Sequence, residues 1–287
     1  SKTRFYWNIK AIKALKDVES EKRLATESEQ KVMSKYAGWD GIPQAFDKNA
    51  KGWEKEYAEL QEMLTDEEYA NARASVNNAF YTNPEIARAV NETLTHFGLK
   101  KGNVLEPSMG TGIFFGTMTE GEQKERKLYG VEIDPISGRI AKQLYQTSKI
   151  NICGFENTTF SDNFFDAVIG NVPFGDFKVY DLRYAKYNFK IHDYFVAKSI
   201  DLVRPGGVVA VITSKFTMDK GNAAFRKYIA ERAELIGAVR LPDSAFRGVA
   251  GTEITSDILF FQKKEKKSLC EDAEWIDIGQ TADGVEC

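Results

Sequence analysis

The segment FDAVIGNVPFGDF sets an amide, a proline and an aromatic ring directly after a buried apolar run, as Asn171, Val172, Pro173 and Phe174. The Asn171 carboxamide oxygen and the Val172 backbone carbonyl can both accept hydrogen bonds from an exocyclic amino group. Pro173 fixes the backbone so that these acceptors converge, and Phe174 offers a face for stacking a planar base. An aryl amine is a poor nucleophile because its lone pair is delocalised into the ring. Two acceptors pulling on its hydrogens favour a pyramidal nitrogen, whose lone pair can attack a sulfonium methyl in line. The residues would contribute orientation and electrostatics, with no covalent enzyme intermediate. The plainer alternative is a turn after a buried strand, with Phe174 in the core.

A second constellation lies upstream. NVLEPSMGTGIFFG joins a short strand to a helix through Gly110 and Gly112, as a tight turn with close ligand approach requires. LYGVEID then places Glu132 at the carboxyl end of the next strand, where a carboxylate can take both ribose hydroxyls. Nicotinamide-binding proteins share this layout, but their GxGxxG is here GTGIFF, with Phe115 at the third glycine. Glu106 and Pro107, ahead of the glycines, are also foreign to them. A carboxylate at the first strand tip repels a pyrophosphate and suits a cationic amino-acid end. S-adenosyl-L-methionine has that end and a sulfonium, so the charge pattern points to it as cofactor. The alternative for Glu106 is a helix-cap or turn residue. Ligands of open α/β sheets bind at the carboxyl ends of strands near the topological switch point, where all three features fall.

Such strand tips need a sheet. From residue 79, apolar runs recur at Val104–Leu105, Leu128–Ile133, Ala167–Ile169, Val208–Ile212, Leu235–Val239 and Ile258–Phe261. Helical segments such as PISGRIAKQLYQ, HDYFVAKSIDLV and NAAFRKYIAER separate most of them, which predicts an α/β fold with a mostly parallel sheet covered on both faces. Pro84 sits where a first helical turn tolerates it, in a helix running to Gly98. Residues 1–78 read instead as a helical N-terminal extension, with Ile9, Ile12, Leu15 and Val18 at helical spacing. Thr26 with Glu29 and Thr65 with Glu68 are capping boxes, and Gly38 can end the second helix. WDGIPQAFD is a break, after which Trp53, Tyr57, Leu60 and Leu64 resume the helical period. Trp7, Trp39 and Trp53 are expected to pack this extension. The expected division is 1–78 extension, 79–264 catalytic domain and 265–287 tail, with the KKEKK run at Lys263 solvated and the tail the start of a truncated further region.

Composition narrows the classes. Of 287 residues 43% are hydrophobic and 28% charged, which excludes wholesale disorder. No apolar run approaches the roughly 18 residues of a membrane span. The start SKTRFYWNIK lacks a signal-peptide core, and Ser1 in place of Met suggests an excised piece, so the cytoplasm is the expected compartment. A net charge of -3 means that any nucleic-acid contact must come from a local patch. Three cysteines (Cys153, Cys270, Cys287) and two histidines (His96, His192) are too scattered for a disulfide framework or a metal site. His192 reads as a capping or packing residue. There is neither a GxxxxGK[ST] phosphate loop nor a Pro-Cys pair, which argues against an ATPase and a cytosine-C5 methyltransferase.

The order NAFYTNPE, VLEPSMGTGIF, YGVEIDP, GFE, GNVPFG resembles the gamma-class adenine-N6 DNA methyltransferases over residues 78–263. SKYAGWDGIPQAFD and LTDEEYANARASVNNAFYT are similar to the methylase module of very large helicase–methylase proteins of bacterial mobile elements. The resemblance implies a Rossmann-like S-adenosylmethionine-dependent methyltransferase sheet of seven strands, the last, SDILFFQKK, antiparallel. It also implies DNA as substrate and a longer, helicase-containing chain in a bacterial cytoplasm. By the same resemblance Tyr81 and Thr82, with Pro84, close over the methionine end of the cofactor, and Glu106 and Ser108 approach its amino and carboxylate groups. Glu132 holds the ribose, Ile133 packs on the adenine, Phe155 or Glu156 meets that ring, and Asn171 to Phe174 are the catalytic tetrad. Phe246, in LPDSAF, is placed on the opposite face of the target base. The family's usual tetrad has proline where this chain has Val172, which keeps the carbonyl and implies less rigidity. Glu156 is displaced by one step from the usual Asp, and no target-recognition domain is legible after residue 263.

Directly after the tetrad, Lys178, Arg183, Lys186 and Lys190 alternate with Phe177, Tyr180, Tyr184, Tyr187 and Phe189. Such a segment can hold phosphates, stack unpaired bases and border the pocket for a flipped base. Equally, it can be a surface loop whose aromatics pack on the sheet. Three functions remain open: adenine-N6 methylation of DNA, the same chemistry on RNA or a glutamine amide, and a binding module without turnover.

Overall fold

The computed structural model describes residues 1–76, 82–242, 255–268 and 273–279. Seven strands form one sheet: β1 (Gly102–Glu106), β2 (Arg126–Glu132), β3 (Lys149–Ile152), β4 (Phe165–Asn171), β5 (Val203–Ser214), β6 (Ala233–Arg240) and β7 (Ser256–Lys263). The order is β3-β2-β1-β4-β5-β7-β6. β1 to β5 pair in parallel, and β7 runs antiparallel to both β5 and β6. This is the seven-stranded Rossmann-like sheet, with its last strand antiparallel, that the sequence resemblance implies. The chain reverses its direction of travel across the sheet between β1 and β4, so the switch point lies there.

Successive side chains of a strand point to opposite faces, and the two cores divide accordingly. Leu105, Tyr129, Val168, Val209 and Leu259 join one cluster, whereas Val104, Leu128, Ala167, Val208 and Phe260 join the other. The first cluster is closed by α9 (Ile191–Leu202) and α11 (Ala224–Ala230), the second by α5 (Pro84–His96) and α6 (Ile113–Gly116). α8 (Pro135–Leu144) contributes Ala141 to the sheet core and turns Ile136 and Ile140 toward the extension.

The extension is helical: α1 (Lys2–Ser20), α2 (Glu27–Met33), α3 (Glu54–Met63) and α4 (Asp66–Ser75). Both expected capping boxes form, at Thr26/Glu29 and Thr65/Glu68. Three details differ from the sequence reading. α2 stops at Met33, and Gly38 instead takes φ +60° in the following turn. Trp39 and Trp53 are buried as packing residues, but Trp7 is 44% exposed. β3 has no counterpart among the apolar runs, because this short edge strand buries only Ile150. A short helix, α7 (Glu120–Glu125), with its own Thr119/Glu122 box, and α10 (Phe216–Asp219) complete the α-helices among the described residues.

Glu265, Lys266 and Lys267 are exposed, and part of the tail beyond them is packed. Within 273–279, Trp275 packs against Phe261 and Ile276 is buried, its carbonyl accepting from the Arg226 guanidinium. Lys263 and Lys264 are engaged rather than solvated: Lys263 Nζ donates to the carbonyls of Asp201 and Val203 (2.9 Å each) and Lys264 Nζ to that of Ala230 (2.7 Å). Among the described residues, no helix is long and apolar enough to cross a membrane.

Candidate active site

Register brings the chemistry to one edge of the sheet. Glu106, Glu132 and Asn171 are the last residues of β1, β2 and β4, and all three line a cavity of about 440 Å³. That volume lies in the usual range for small-molecule sites. Thr82, Pro107, Ser108, Gly110, Ile133, Phe155, Glu156, Val172 and Pro173 line it too.

The turn after β1 is fixed by short bonds. Gly110, at φ +55°, donates its N–H to Glu132 Oε2 (2.6 Å), and Asp134 N–H donates to Glu132 Oε1 (2.8 Å). A Cβ on Gly110 would meet no atom, so the backbone here is open to a ligand. Gly112 serves differently: it caps α6 at φ +85° and does not line the cavity. A Cβ there would collide with the Tyr145 ring, whose hydroxyl donates to the Gly112 carbonyl (2.5 Å). Gly112 thus packs the turn, with its neighbours Thr111 and Ile113 lining the cavity.

The two carboxylates sit in an unusual field. Burial, reinforced by neighbouring Glu132, pushes the Glu106 carboxyl well above the usual carboxylate range. Its Oε2 is buried with no hydrogen-bond partner among the described residues. Burial also raises Glu132 to about 7, against the backbone N–H groups of Asp134, Gly110 and Ile133, which lower it. A buried carboxyl without a counter-charge is costly and would be relieved by a bound cation. A ligand with a cationic end and a diol therefore fits these residues. Ile133, 70% exposed beside Glu132, offers an apolar surface for a ring.

Asn171 and the turn after β1 are one unit, because Ser108 Oγ donates to the Asn171 carbonyl (2.7 Å). Val172 is tied into the sheet. It is buried, and its N–H donates to the Ile212 carbonyl (3.0 Å), extending the β4–β5 ladder by a bond that proline cannot make. Phe174 is half-buried against both sheet cores and does not line the cavity, whereas Phe177 does. Tyr81 and Phe246 lie outside the described residues.

The basic and aromatic segment borders the cavity only at its root, through Phe177 and Val179. Its cations are engaged: Lys178 Nζ donates to Asn188 (2.6 Å), Lys190 pairs with Asp176 (2.6 Å), and Lys186 lies over the Tyr187 ring. Arg183 pairs with Asp162 (2.6 Å), just before β4, and Asp201 (3.0 Å), just before β5. It therefore sits at the opposite edge of the sheet from Asn171, the length of β4 or about 20 Å away. The sequence reading expects it in a segment that can border the pocket for a flipped base, and the structure sets it between these two carboxylates. Tyr187 and Phe189 pack on Tyr228 of α11, as the surface-loop alternative anticipates. His192 is buried near the start of α9, and burial with the charges of Lys220 and Lys190 holds it down at about 4, neutral at pH 7.

Sequence reasoning missed one wall of the cavity. Tyr36, Gly38, Asn71, Ala74 and Ser75 line it from the extension, as do Cys153 after β3 and Asp134 and Ser137 at the start of α8. A small or polar helical face carries no hydrophobic period, so the only available signal was the capping box that locates α4.

A Listeria monocytogenes protein provisionally classed as a class I S-adenosylmethionine-dependent methyltransferase shares the fold, with TM-score 0.55 at 16% identity over 92% of this chain and 80% of that one. The Defense against restriction protein B of Escherichia phage P1 is 34% identical over 190 residues, 64% of this chain and 8% of the phage protein. A Methanocaldococcus jannaschii protein provisionally named a protein N5-glutamine methyltransferase is 26% identical over 155 residues, 50% of this chain and 78% of that protein. This chain thus spans only a small share of the phage relative's length. Its cofactor is S-adenosyl-L-methionine, the methyl donor of this fold and family. Residues 55–284 match the family described as N-6 DNA Methylase, and the chain belongs to that family of methyltransferases.

Proposed function

We propose that the chain transfers a methyl group from S-adenosyl-L-methionine to the N6 amino group of adenine in DNA. The observation that carries this reading is the Ser108–Asn171 bond, which joins the carboxylate-bearing turn to the acceptor segment inside one cavity. S-adenosylmethionine supplies a methyl on positively charged sulfur. Glu106 would take its ammonium end, Ser108 and Thr82 would lie beside that end, and Glu132 would hold the ribose diol. Ile133, Phe155 and Glu156 would contact the adenine. The Asn171 side-chain oxygen and the Val172 carbonyl would accept from the target amino group and aim its lone pair, with Pro173 fixing both. The nitrogen–methyl bond forms as the sulfur–methyl bond breaks, its electron pair stays on sulfur, and the surplus N6 proton leaves to water.

Adenine in DNA is supported by the family description and by the motif order of the sequence. The phage P1 relative, of which the chain matches 8%, supports a module of a longer protein. The helicase-bearing arrangement and the bacterial cytoplasm implied by the sequence resemblance belong to the same reading. A glutamine amide is the second reading, favoured by the Methanocaldococcus jannaschii relative, since the same acceptors hold any planar amide.

The test is methyl transfer from labelled S-adenosylmethionine to duplex DNA, single-stranded DNA, RNA and protein, read by nucleoside and peptide mass spectrometry. N6-methyldeoxyadenosine is expected. Asn171→Ala should abolish it while the cofactor Kd changes by less than about twofold, because that side chain serves the transition state and not donor binding. Label confined to RNA or to glutamine would overturn the DNA assignment. Unaltered turnover in Asn171→Ala would overturn the mechanism.

A further inference from the structure

One wall of the cavity has no part in the roles above. Asn71, Ala74 and Ser75 of α4 line it, three and four residues apart and hence on one helical face. α4 is held in place from the methyltransferase side. Arg139 on α8 donates to Glu68 on α4 (2.6 Å) and to Glu19 on α1 (2.8 Å), and Lys16 on α1 also reaches Glu68 (3.0 Å). Ile136 and Ile140 of α8 are built into the core of the extension. α8 begins at Pro135, directly after Glu132, Ile133 and Asp134, and its Ser137 lines the same cavity. The clamp thus ties the α4 face to α8, the helix that directly follows Glu132 and packs on β2 and β3.

We propose that α4 is the adenosine-side wall of the donor cavity, with Asn71 and Ser75 as hydrogen-bonding contacts to the adenosine moiety of S-adenosylmethionine. Asn71 can donate and accept, which suits a ribose hydroxyl or the adenine edge. Ser75 spends its proton on the Ala72 carbonyl (2.7 Å), which leaves its oxygen as an acceptor. Ala74 keeps the face low, so that a bulkier side chain there would fill the space. The helical extension is then a structural half of the donor site, and α8 transmits its position to Glu132. This inference rests on the cavity being the donor site.

The test uses the full chain and calorimetric titration with S-adenosylmethionine, adenosine and methionine. Asn71→Ala is expected to weaken S-adenosylmethionine and adenosine each by about tenfold, the worth of one buried hydrogen bond, and to leave methionine unchanged. Ala74→Phe should weaken the two adenosine-bearing ligands further. Ligand-free unfolding temperature serves as the folding control, since both substitutions fall on a face turned to the cavity. Unchanged Kd in both variants would overturn the proposal, as would equal losses for methionine and adenosine, which would signal general loosening. If the parent chain binds none of the three ligands, the donor-site reading has failed on its own and this inference falls with it.

Discussion

At the tips of β1 and β2 two carboxyls, Glu106 buried and Glu132 half-buried, have no cationic partner among the described residues, while along residues 178–190 four cations each have a partner. Glu106 and Glu132 leave an electrostatic deficit that a cationic ligand relieves. Lys178, Arg183, Lys186 and Lys190 leave none, so a phosphate approaching them must first displace an amide, a carboxylate or a ring. A residue type at a strand tip therefore predicts chemistry when nothing nearby compensates it. A residue type in a long connection does not, because the chain can spend it on itself.

The largest expected effect tests the first half of that contrast. Glu132 offers a second lone pair on each oxygen beyond those taken by Gly110 and Asp134. Glu132→Ala should weaken S-adenosylmethionine by about a hundredfold or more, since charge-assisted hydrogen bonds are each worth about 1.5–3 kcal/mol. Binding calorimetry checks it. A loss below tenfold would mean that the deficit at β2 does not select the donor.

The same carboxyl makes binding depend on pH. Burial, with the Asp134 charge a further cause, pushes it up to about 7 in the ligand-free chain, above the usual carboxylate range. Ribose hydroxyls donate to the ionised form, so binding expels the proton, and affinity should rise as pH rises through about 7. Below that value the expected gain is up to about tenfold per pH unit. Glu106, also raised, would add to the trend on meeting a cationic end. The folded, empty chain should behave oppositely: it holds the Glu132 proton more tightly than the unfolded chain, so stability declines as pH rises from about 4.5 to about 7. Proton release on binding, measured in buffers of different ionisation enthalpy, tests the sign directly.

Legibility in the sequence followed the range of the interactions. Capping boxes at Thr26 and Thr65 are decided within one helical turn, and both stood where the residues put them. Glu106, Glu132 and Asn171 were legible because strand ends follow from apolar runs and the parallel register aligns them. β3 was missed because its single buried side chain, Ile150, leaves no pattern to read. The pairing of Arg183 was not legible because its partners, Asp162 and Asp201, lie 21 and 18 residues away and come together only when β4 and α9 are packed. The α4 wall was missed because Asn71, Ala74 and Ser75 announce nothing until another element faces them.

Val172 sharpens the contrast within the acceptor segment itself. Proline in this place would gain ring rigidity and lose the N–H that donates to Ile212. Val172→Pro should therefore cost about 1–3 kcal/mol of stability through the unsatisfied Ile212 carbonyl, with cofactor affinity unchanged. Denaturant unfolding measures it. A stabilised variant would show that the ladder bond is not what holds the tetrad.

The smallest effect bears on the second half of the contrast. Arg183 is about half exposed and pairs with a half-exposed Asp162 and the more buried Asp201. Solvent screens such pairs, so Arg183→Ala should cost no more than about 1 kcal/mol of stability. Because the guanidinium sits at the far edge of the sheet and is already paired, affinity for duplex DNA and its salt dependence should not change. A phosphate contact would instead show as weaker binding and a salt slope reduced by about one. That result would mean the segment releases its cations when nucleic acid arrives, and the division between an uncompensated donor half and a self-satisfied acceptor half would be a property of the free chain alone.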